Sequence, residues 1–480
     1  MKTDENHDRL GLAHWMRQVG VECEHARSDF SADNVHDLRV ALRRCRSLAA
    51  VIERVDPYSG WKRMRRAAKT VFSALGELRD VQVMAVWLQR RVPQEDPVAR
   101  ATMEFLAGRE VELKREAAVA LAQFDQDQWS QWSDSLPGRA EPIAGNKLIL
   151  EHFALEHWTR ARELHARALR NRSRVGYHNL RIGIKKLRYM MENFLPDLHK
   201  DFGKHLKQLQ DLLGEVHDLD VLWATAISVN KFPDDEARIR WRDLIDKERR
   251  ERIDQYRANM IGKHSLWLVW RKRLPQGSEM ERGSIERLKM WASFLDPEFQ
   301  KSQRVSRLAL QLYDGLVGRV KFKTTSHLPG RTLLQAAAMM RDVGRAKREK
   351  KHQKRSYKLI RKLDPPLGWQ RKDLEIAALI ARFHRGTLPI SNDGSLSGIT
   401  ETQKRQTMML AGILRLIDAV DGQLNGKVRS LEVEQTEELI RVWAKGNIEI
   451  QPSEKIAAAR YLLETAYQRP VIVSIRPQAA

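Results

Sequence analysis

The sequence has few of the features expected of a membrane, secreted or zinc-binding protein. Among its 480 residues it has two cysteines, Cys23 and Cys45, neither in metal-ligand spacing, so we expect both to be reduced core residues. It lacks an apolar run near the ~18 residues that a membrane span needs. Asp4, Glu5 and Asp8 near its start argue against a signal peptide. These absences predict a cytoplasmic protein without a membrane partner.

Acidic residues are too few to balance the basic ones. The chain has 62 Asp and Glu against 85 Lys and Arg, a formal net charge of +23. The excess is uneven, because residues 301–385 hold 22 basic and 6 acidic residues. Such a field attracts polyanions, which include nucleic acid, anionic lipid and polyphosphate. Composition does not choose among them.

The first 275 residues contain one pattern twice. His36-Asp-Leu-Arg39 recurs as His178-Asn-Leu-Arg181, and Leu75–Asp80 recurs as Leu213–Asp218, at offsets of 142 and 138 residues. Blocks repeated in the same order indicate an internal duplication. Proline and glycine in residues 133–146 predict a linker between the copies.

Each copy contains a helix with an apolar and a cationic face, because both residue classes recur at spacings of three and four. The apolar faces are Val35, Leu38, Leu42, Cys45, Ala49 and Ile52 in the first copy, and Tyr177, Leu180, Ile184, Leu187 and Met191 in the second. The cationic stripes are His36, Arg39, Arg43 and Arg46, and His178, Arg181, Lys185 and Arg188. A following helix adds Lys62, Arg66 and Lys69, with Lys200, Lys204 and Lys207 at the equivalent positions.

These stripes have two interpretations. Charged runs are usually solvated helix faces, but such faces mix signs, since opposite charges at i, i+4 stabilise a helix and like charges destabilise it. A stripe of nearly one sign sacrifices stability that a bound polyanion would restore. We therefore favour ligand binding. Nucleic-acid binders also interleave aromatic residues for stacking, and these stripes contain almost none.

The repeated motifs resemble the conserved-histidine α-helical domain (CHAD) family over roughly residues 8–275. The resemblance implies two pseudo-symmetric helical bundles around a basic pore that binds inorganic polyphosphate. It also implies which residues line the pore. These candidates are the two stripes, the six lysine and arginine residues of the following helices, and Arg79. The second copy departs by having Lys185 and Lys186 for Arg43 and Arg44, and His217 for Arg79. Lysine lacks the bidentate fork of arginine.

Residues 285–425 are helical in period, and short β-like stretches follow at 431–434, 447–450 and 471–475. This half resembles the C-terminal HD-type domain of the exopolyphosphatase/guanosine pentaphosphate phosphohydrolase family. The resemblance rests on segments 304–314, 333–344, 352–360, 381–384 and 414–421.

The resemblance breaks at the metal ligands. An active HD phosphohydrolase needs histidines and aspartates that hold a divalent metal, but Lys301 and Arg341 stand at two histidine positions. Asp342 and Asp418 remain, and a capping or ion-pairing role is expected for them. We predict no catalytic residue, no metal and no cofactor.

The sequence thus predicts a mainly all-α protein with a CHAD-like domain at 8–275 (repeats 8–132 and 150–275) and a degenerate HD-like domain with a small β element at 285–480. The predicted function is polyphosphate binding, with targeting to polyphosphate granules as its extension and other polyanions as further partners. Two alternatives stay open. One is a metal-dependent phosphohydrolase acting on polyphosphate or guanosine polyphosphates through His352, His384, Asp342 and Asp418. The other is nucleic-acid binding by the basic residues 345–362.

Overall fold

The structure is a computed structural model, and it describes residues 11–317, 327–347, 350–388, 394–446 and 454–476. The chain divides between Gln276 and Gly277 into two compact units, an N-terminal and a C-terminal unit. The mainly helical fold is confirmed. Within the described ranges, no helix combines the length and apolarity needed to cross a membrane.

The described part of the N-terminal unit is helical throughout. Its helices are α1 (Leu12–Ser28), α2 (Ala32–Ile52), α3 (Ser59–Arg91), α4 (Pro97–Ala122), α5 (Gln126–Ala144), α6 (Lys147–Asn171), α7 (Arg174–Phe194), α8 (Pro196–Val229), α9 (Asp235–Met260) and α10 (Leu266–Arg271).

Helices α2 and α7 are equivalent elements of the two copies. The Ser31 hydroxyl caps α2 by accepting from the Asn34 amide, and the Ser173 hydroxyl caps α7 from the Gly176 amide. Such caps satisfy amides that a helix start leaves without a partner. Every residue of the two predicted apolar faces is buried, Cys45 included.

The two copies meet through corresponding helices. Helix α2 packs against α7, while α8 packs against both α3 and α4. The cationic faces of α2 and α7 therefore lie in one region of the N-terminal unit. This contact creates the candidate site described below.

The predicted linker at 133–146 is wrong, because α5 runs through most of it and carries Pro137 and Pro142 inside the helix. Proline removes a helical hydrogen bond, so its presence predicts a break in the helix. The burial of an apolar face of α5 outweighs the free-energy cost of the two prolines. This face consists of Trp129, Trp132, Leu136, Ala140 and Ile143, all buried.

The C-terminal unit combines helices with one small sheet. Its helices are α11 (Ser278–Ser293), α12 (Phe299–Val317), α13 (Gly330–Met340), α14 (His352–Ile360), α15 (Arg371–Phe383), α16 (Glu401–Gln423) and α17 (Glu454–Tyr467). Its strands are β1 (Ser430–Gln435), β2 (Ile440–Lys445) and β3 (Val471–Arg476).

The sheet has the order β1-β2-β3, with β1 and β2 antiparallel and β2 and β3 parallel. Two of the predicted β-like stretches lie in β1 and β3, and 447–450 lies outside the described residues. Strand β2 was not predicted. Gly315 of α12 lies so close to Val433 of β1 that a β-carbon on residue 315 would be 2.6 Å from Val433 Cγ2. Only glycine therefore fits this contact between helix and sheet.

Candidate functional site

Helices α2 and α7 bring the cations of both copies together. Arg39 on α2 interacts electrostatically with Arg181 on α7, and Lys185 on α7 interacts with both Arg39 and Arg43. We call the half-buried members of this group the cationic centre. They are Arg39, Arg43 and Arg46 on α2, Arg79 on α3, and Arg181, Lys185 and Arg188 on α7.

Two aromatic rings hold the guanidinium groups of α2. The Phe72 ring lies 4.3 Å from the Arg39 guanidinium carbon and 4.6 Å from that of Arg46. The Tyr189 ring lies 5.1 Å from that of Arg43. Arg39 Nη1 also donates to the Phe72 carbonyl oxygen at 3.0 Å. Cation–π contacts and hydrogen bonds of this kind fix arginine side chains before a ligand arrives.

Burial and neighbouring like charges lower the pKa values of cations in the centre. Burial, with Arg181, Arg43 and Arg39 nearby, lowers the pKa of Lys185 to about 7. Burial likewise lowers the pKa of Arg39 to about 10, despite the opposing effect of Asp80. A cation whose pKa falls this far gains stabilisation when negative charge is brought to it.

Two aspartates from the repeated Leu-Gly motif moderate this charge. Burial raises the pKa of Asp80, although Arg39 and Arg181 oppose the shift. Burial raises the pKa of Asp218 to about 6, against the effect of Arg181. The electrostatic coupling between Asp218 and Asp80 places equivalent residues of the two copies close together. Against the seven cations of the centre, these two carboxylates leave an excess of five positive charges.

A cavity of about 420 Å³ opens between α2 and α7 beside the centre. Three of the predicted site residues line this cavity, namely Arg43, Arg46 and Lys185. Four further residues line it as well, namely Arg54, Arg65, Lys186 and His157. The predicted site did not include these last four. Arg54 lies in the turn after α2, eight residues beyond Arg46, and the apolar Ala50 between them hides its relation to the stripe. Arg54 and Arg65 are paired with Glu156 and Glu53.

The remaining predicted residues form no part of the half-buried centre. Six of them are exposed on α3 and α8, and these are Lys62, Arg66, Lys69, Lys200, Lys204 and Lys207. His36 and His178 are exposed, each as the fifth residue of its helix. Burial and Arg79 lower the pKa of His36. His178 Nδ1 lies 3.4 Å from His217 Nδ1, and burial with Arg181 lowers the pKa of His217 to about 4.

In the C-terminal unit, Asp342, His352 and His384 place potential ligand atoms within 4.8 Å of one another. The sequence analysis named these three residues, with Asp418, in the alternative of a metal-dependent phosphohydrolase, but their approach to one another depends on the packing of three helix ends and follows only from the fold. The neighbouring Arg341 is fully buried, with Nη2 3.2 Å from Asp342 Oδ2 and Nε 3.4 Å from Asp418 Oδ1. A guanidinium therefore takes the place between the two carboxylates where a metal ion would bind. The residues present do not fit a metal centre.

Lys301, at the other replaced histidine position, is half-buried and lines two clefts of the C-terminal unit. One of these, of about 780 Å³, also contains His384, Asp418, Arg385 and Arg415. Burial lowers the pKa of Arg415. The cleft beside the Arg341 cluster is thus cationic.

Comparison with known proteins agrees with both resemblances. Residues 12–226 match the CHAD domain and residues 284–464 match the Ppx/GppA phosphatase, domain III. The crystal structure of the CHAD domain from the plant Ricinus communis is 19% identical, with a TM-score of 0.37, over 55% of this chain and 90% of that chain. No curated protein matches the chain. The chain therefore contains a CHAD domain at residues 12–226 and a Ppx/GppA phosphatase domain III at residues 284–464.

Proposed function

We propose that the CHAD domain binds inorganic polyphosphate at the cationic centre. The observation that carries the proposal is the half-burial of seven cations from both copies, among them Lys185, whose pKa falls to about 7 with burial and with Arg181, Arg43 and Arg39 nearby. Holding like charges together out of water costs free energy, and a polyanion offsets that cost when it binds. Arginine guanidiniums supply paired donors to phosphate oxygens.

The exposed cations extend the proposed site in the way a chain ligand requires. Polyphosphate carries about one charge per internal phosphate and binds with release of counterions, as other polyanions do. The centre holds only a few phosphate groups, while the exposed lysines and Arg66 on α3 and α8 offer contacts to the chain on either side. The same binding would direct the protein to polyphosphate granules in the cell.

Nucleic acid is the weaker candidate because the aromatic rings of the site are already covered. Single-stranded nucleic acid binds through open aromatic faces on which bases stack. Phe72 is flanked by Arg39 and Arg46, and Tyr189 by Arg43. The rings therefore position guanidiniums. The basic segment 345–362 is only partly within the described residues.

A binding titration tests the proposal. The full chain is titrated with polyphosphates of defined length at several salt concentrations, and single-stranded RNA of equal charge competes for the site. We expect longer polyphosphates to bind more tightly, affinity to fall linearly with the logarithm of salt concentration, and RNA to compete poorly. Competition by RNA at equal charge concentration would favour the nucleic-acid function.

The hydrolase alternative rests on the proximity of Asp342, His352 and His384, and Arg341 weighs against it. We expect the full chain to release no phosphate from polyphosphate or guanosine tetraphosphate above background, with or without Mg²⁺ or Mn²⁺. Metal-dependent release, abolished by His384→Ala, would establish the hydrolase.

The pH dependence of polyphosphate binding distinguishes the contribution of the Lys185 amine from that of histidine. Polyphosphate favours the charged amine of Lys185, so its binding raises a pKa that starts at about 7. Affinity should then increase as pH falls from about 9 to about 7, by up to about tenfold per pH unit. Below about pH 7, uptake of protons by His36 beside phosphate and by Asp218, whose pKa is about 6, should add a further increase.

Two variants separate these contributions by isothermal calorimetry across the pH range. Lys185→Arg keeps the charge at every pH, so the increase above about pH 7 should disappear. His36→Gln should reduce only the increase below about pH 7, and the part of that increase due to Asp218, whose pKa is about 6, should remain. An unchanged profile in Lys185→Arg would show that Lys185 does not contact the ligand.

A further inference from the structure

The ends of three helices meet one side of a fourth, α16, at the Arg341 cluster of the C-terminal unit. Arg341 and Asp342 follow α13, His352 begins α14, and His384 caps α15. Asp418 comes from α16. All five residues are buried or nearly so. Such a junction of ionisable groups inside a helical core is stable only if its charges are balanced.

The cluster is arranged like a cation-binding site in which the cation is the side chain of Arg341. Burial would raise the pKa of Asp342, but Arg341 and the hydrogen bond with His352 hold it well below its usual range. Burial and Arg341 likewise act on Asp418, whose pKa is also lowered. Arg341 lies within ion-pair distance of both carboxylates and is the cation between them.

The histidine His384 is oriented to offer a lone pair to the cluster. His384 Nδ1 lies 2.7 Å from the Ala381 carbonyl oxygen, which can only accept, so Nδ1 carries the proton and Nε2 is the atom left to act as a ligand. A histidine fixed by donation to a backbone carbonyl is the usual form of a metal ligand. His352 Nε2 lies 2.9 Å from Asp342 Oδ1 and donates to it, so a metal ion would displace the proton of this hydrogen bond.

We propose that Arg341 closes a latent divalent-metal site formed by Asp342, His352, His384 and Asp418, and that its guanidinium performs the charge-balancing role of the metal. Two imidazoles and two carboxylates are a ligand set that suits Zn²⁺ or Mn²⁺. The protein with Arg341 takes no metal at this position. Removal of the guanidinium exposes the ligands and leaves two adjacent carboxylates that need a cation.

The test compares the full chain with Arg341→Ala by elemental analysis and thermal unfolding, using ZnCl₂ or MnCl₂ alone as probe. We expect no stoichiometric metal in the wild type, and an unfolding midpoint for the C-terminal unit that metal leaves unchanged. Arg341→Ala should unfold about 5–10 °C lower without metal. With metal it should bind about one ion per chain and recover most of that loss.

Two further variants make the result specific. Arg341→Ala with His384→Ala should lose stability and fail to recover it with metal, because one ligand is missing. Arg341→His, produced with metal in the medium, tests the site if the alanine variant does not fold, and it should carry one metal ion per chain. Stoichiometric metal in the wild type would overturn the proposal. So would the absence of metal binding in both Arg341→Ala and Arg341→His.

Discussion

An Arg43→Glu/Lys185→Glu variant should bind polyphosphate at least about 100-fold more weakly than the wild type at about 150 mM salt. These two residues come from different copies, line the same cavity and interact electrostatically. The double change places two carboxylates where the ligand's phosphates would lie. Fluorescence anisotropy with labelled polyphosphate measures the loss, and circular dichroism should show an unchanged helix content.

A matched control changes net charge equally elsewhere in the N-terminal unit. Arg115 on α4 and Arg238 on α9 are exposed, and their double change to glutamate should retain most of the affinity, since it acts only through the long-range field. An Arg43→Ala/Lys185→Ala variant guards against misfolding, because it relieves repulsion without burying a new charge. If the glutamate pair and the control pair bind alike, the cationic centre is not the site.

The sequence predicted the two helices of the centre because their patterns are local. Both faces of α2 and α7 repeat at helical spacing. The helix face on which Arg39 or Lys185 lies can therefore be assigned from neighbours within a few residues. The meeting of the two helices was implied only by the duplication. Residues such as His157 and Arg65 reach the cavity through tertiary packing alone, and no spacing along the chain identifies them.

The errors also have physical reasons. Helix α5 was read as a linker because Pro137 and Pro142 carry a strong local signal, and tertiary burial of its apolar face overrides it. The sequence identifies Arg341 at a histidine position and predicts that no metal binds there. Only the fold shows that the guanidinium lies between Asp342 and Asp418, and the proposed charge-balancing role rests on that position.

Helix α5 leads to the second prediction, which concerns stability. Asp56, in the turn between α2 and α3, is fully buried and accepts from four donors. Arg139 of α5 donates through Nε and Nη2, each at 2.7 Å, while Trp61 Nε1 donates at 2.7 Å and the Tyr58 amide at 3.0 Å. This carboxylate ties the proline-containing helix to the first copy.

Asp56→Ala should therefore lower the free energy of unfolding of the N-terminal unit by about 3 kcal/mol. The change leaves the buried Trp61 indole N–H without its acceptor and Arg139 without its counter-ion. Asp56→Asn, which keeps an oxygen for Trp61 but loses the charge, should cost less. The control is Asp201→Ala, which removes the exposed ion pair with Arg273 and should cost under about 1 kcal/mol.

Native-state hydrogen exchange of α5 peptides provides the measurement, because it reports the opening free energy of one element within a larger chain. In Asp56→Ala, α5 should exchange faster than in the wild type, with a smaller change in α7. Two prolines leave α5 with fewer hydrogen bonds of its own, so its stability depends on packing and on this ion pair. If Asp56→Ala and Asp201→Ala give equal protection of α5, its apolar face alone holds the helix in place.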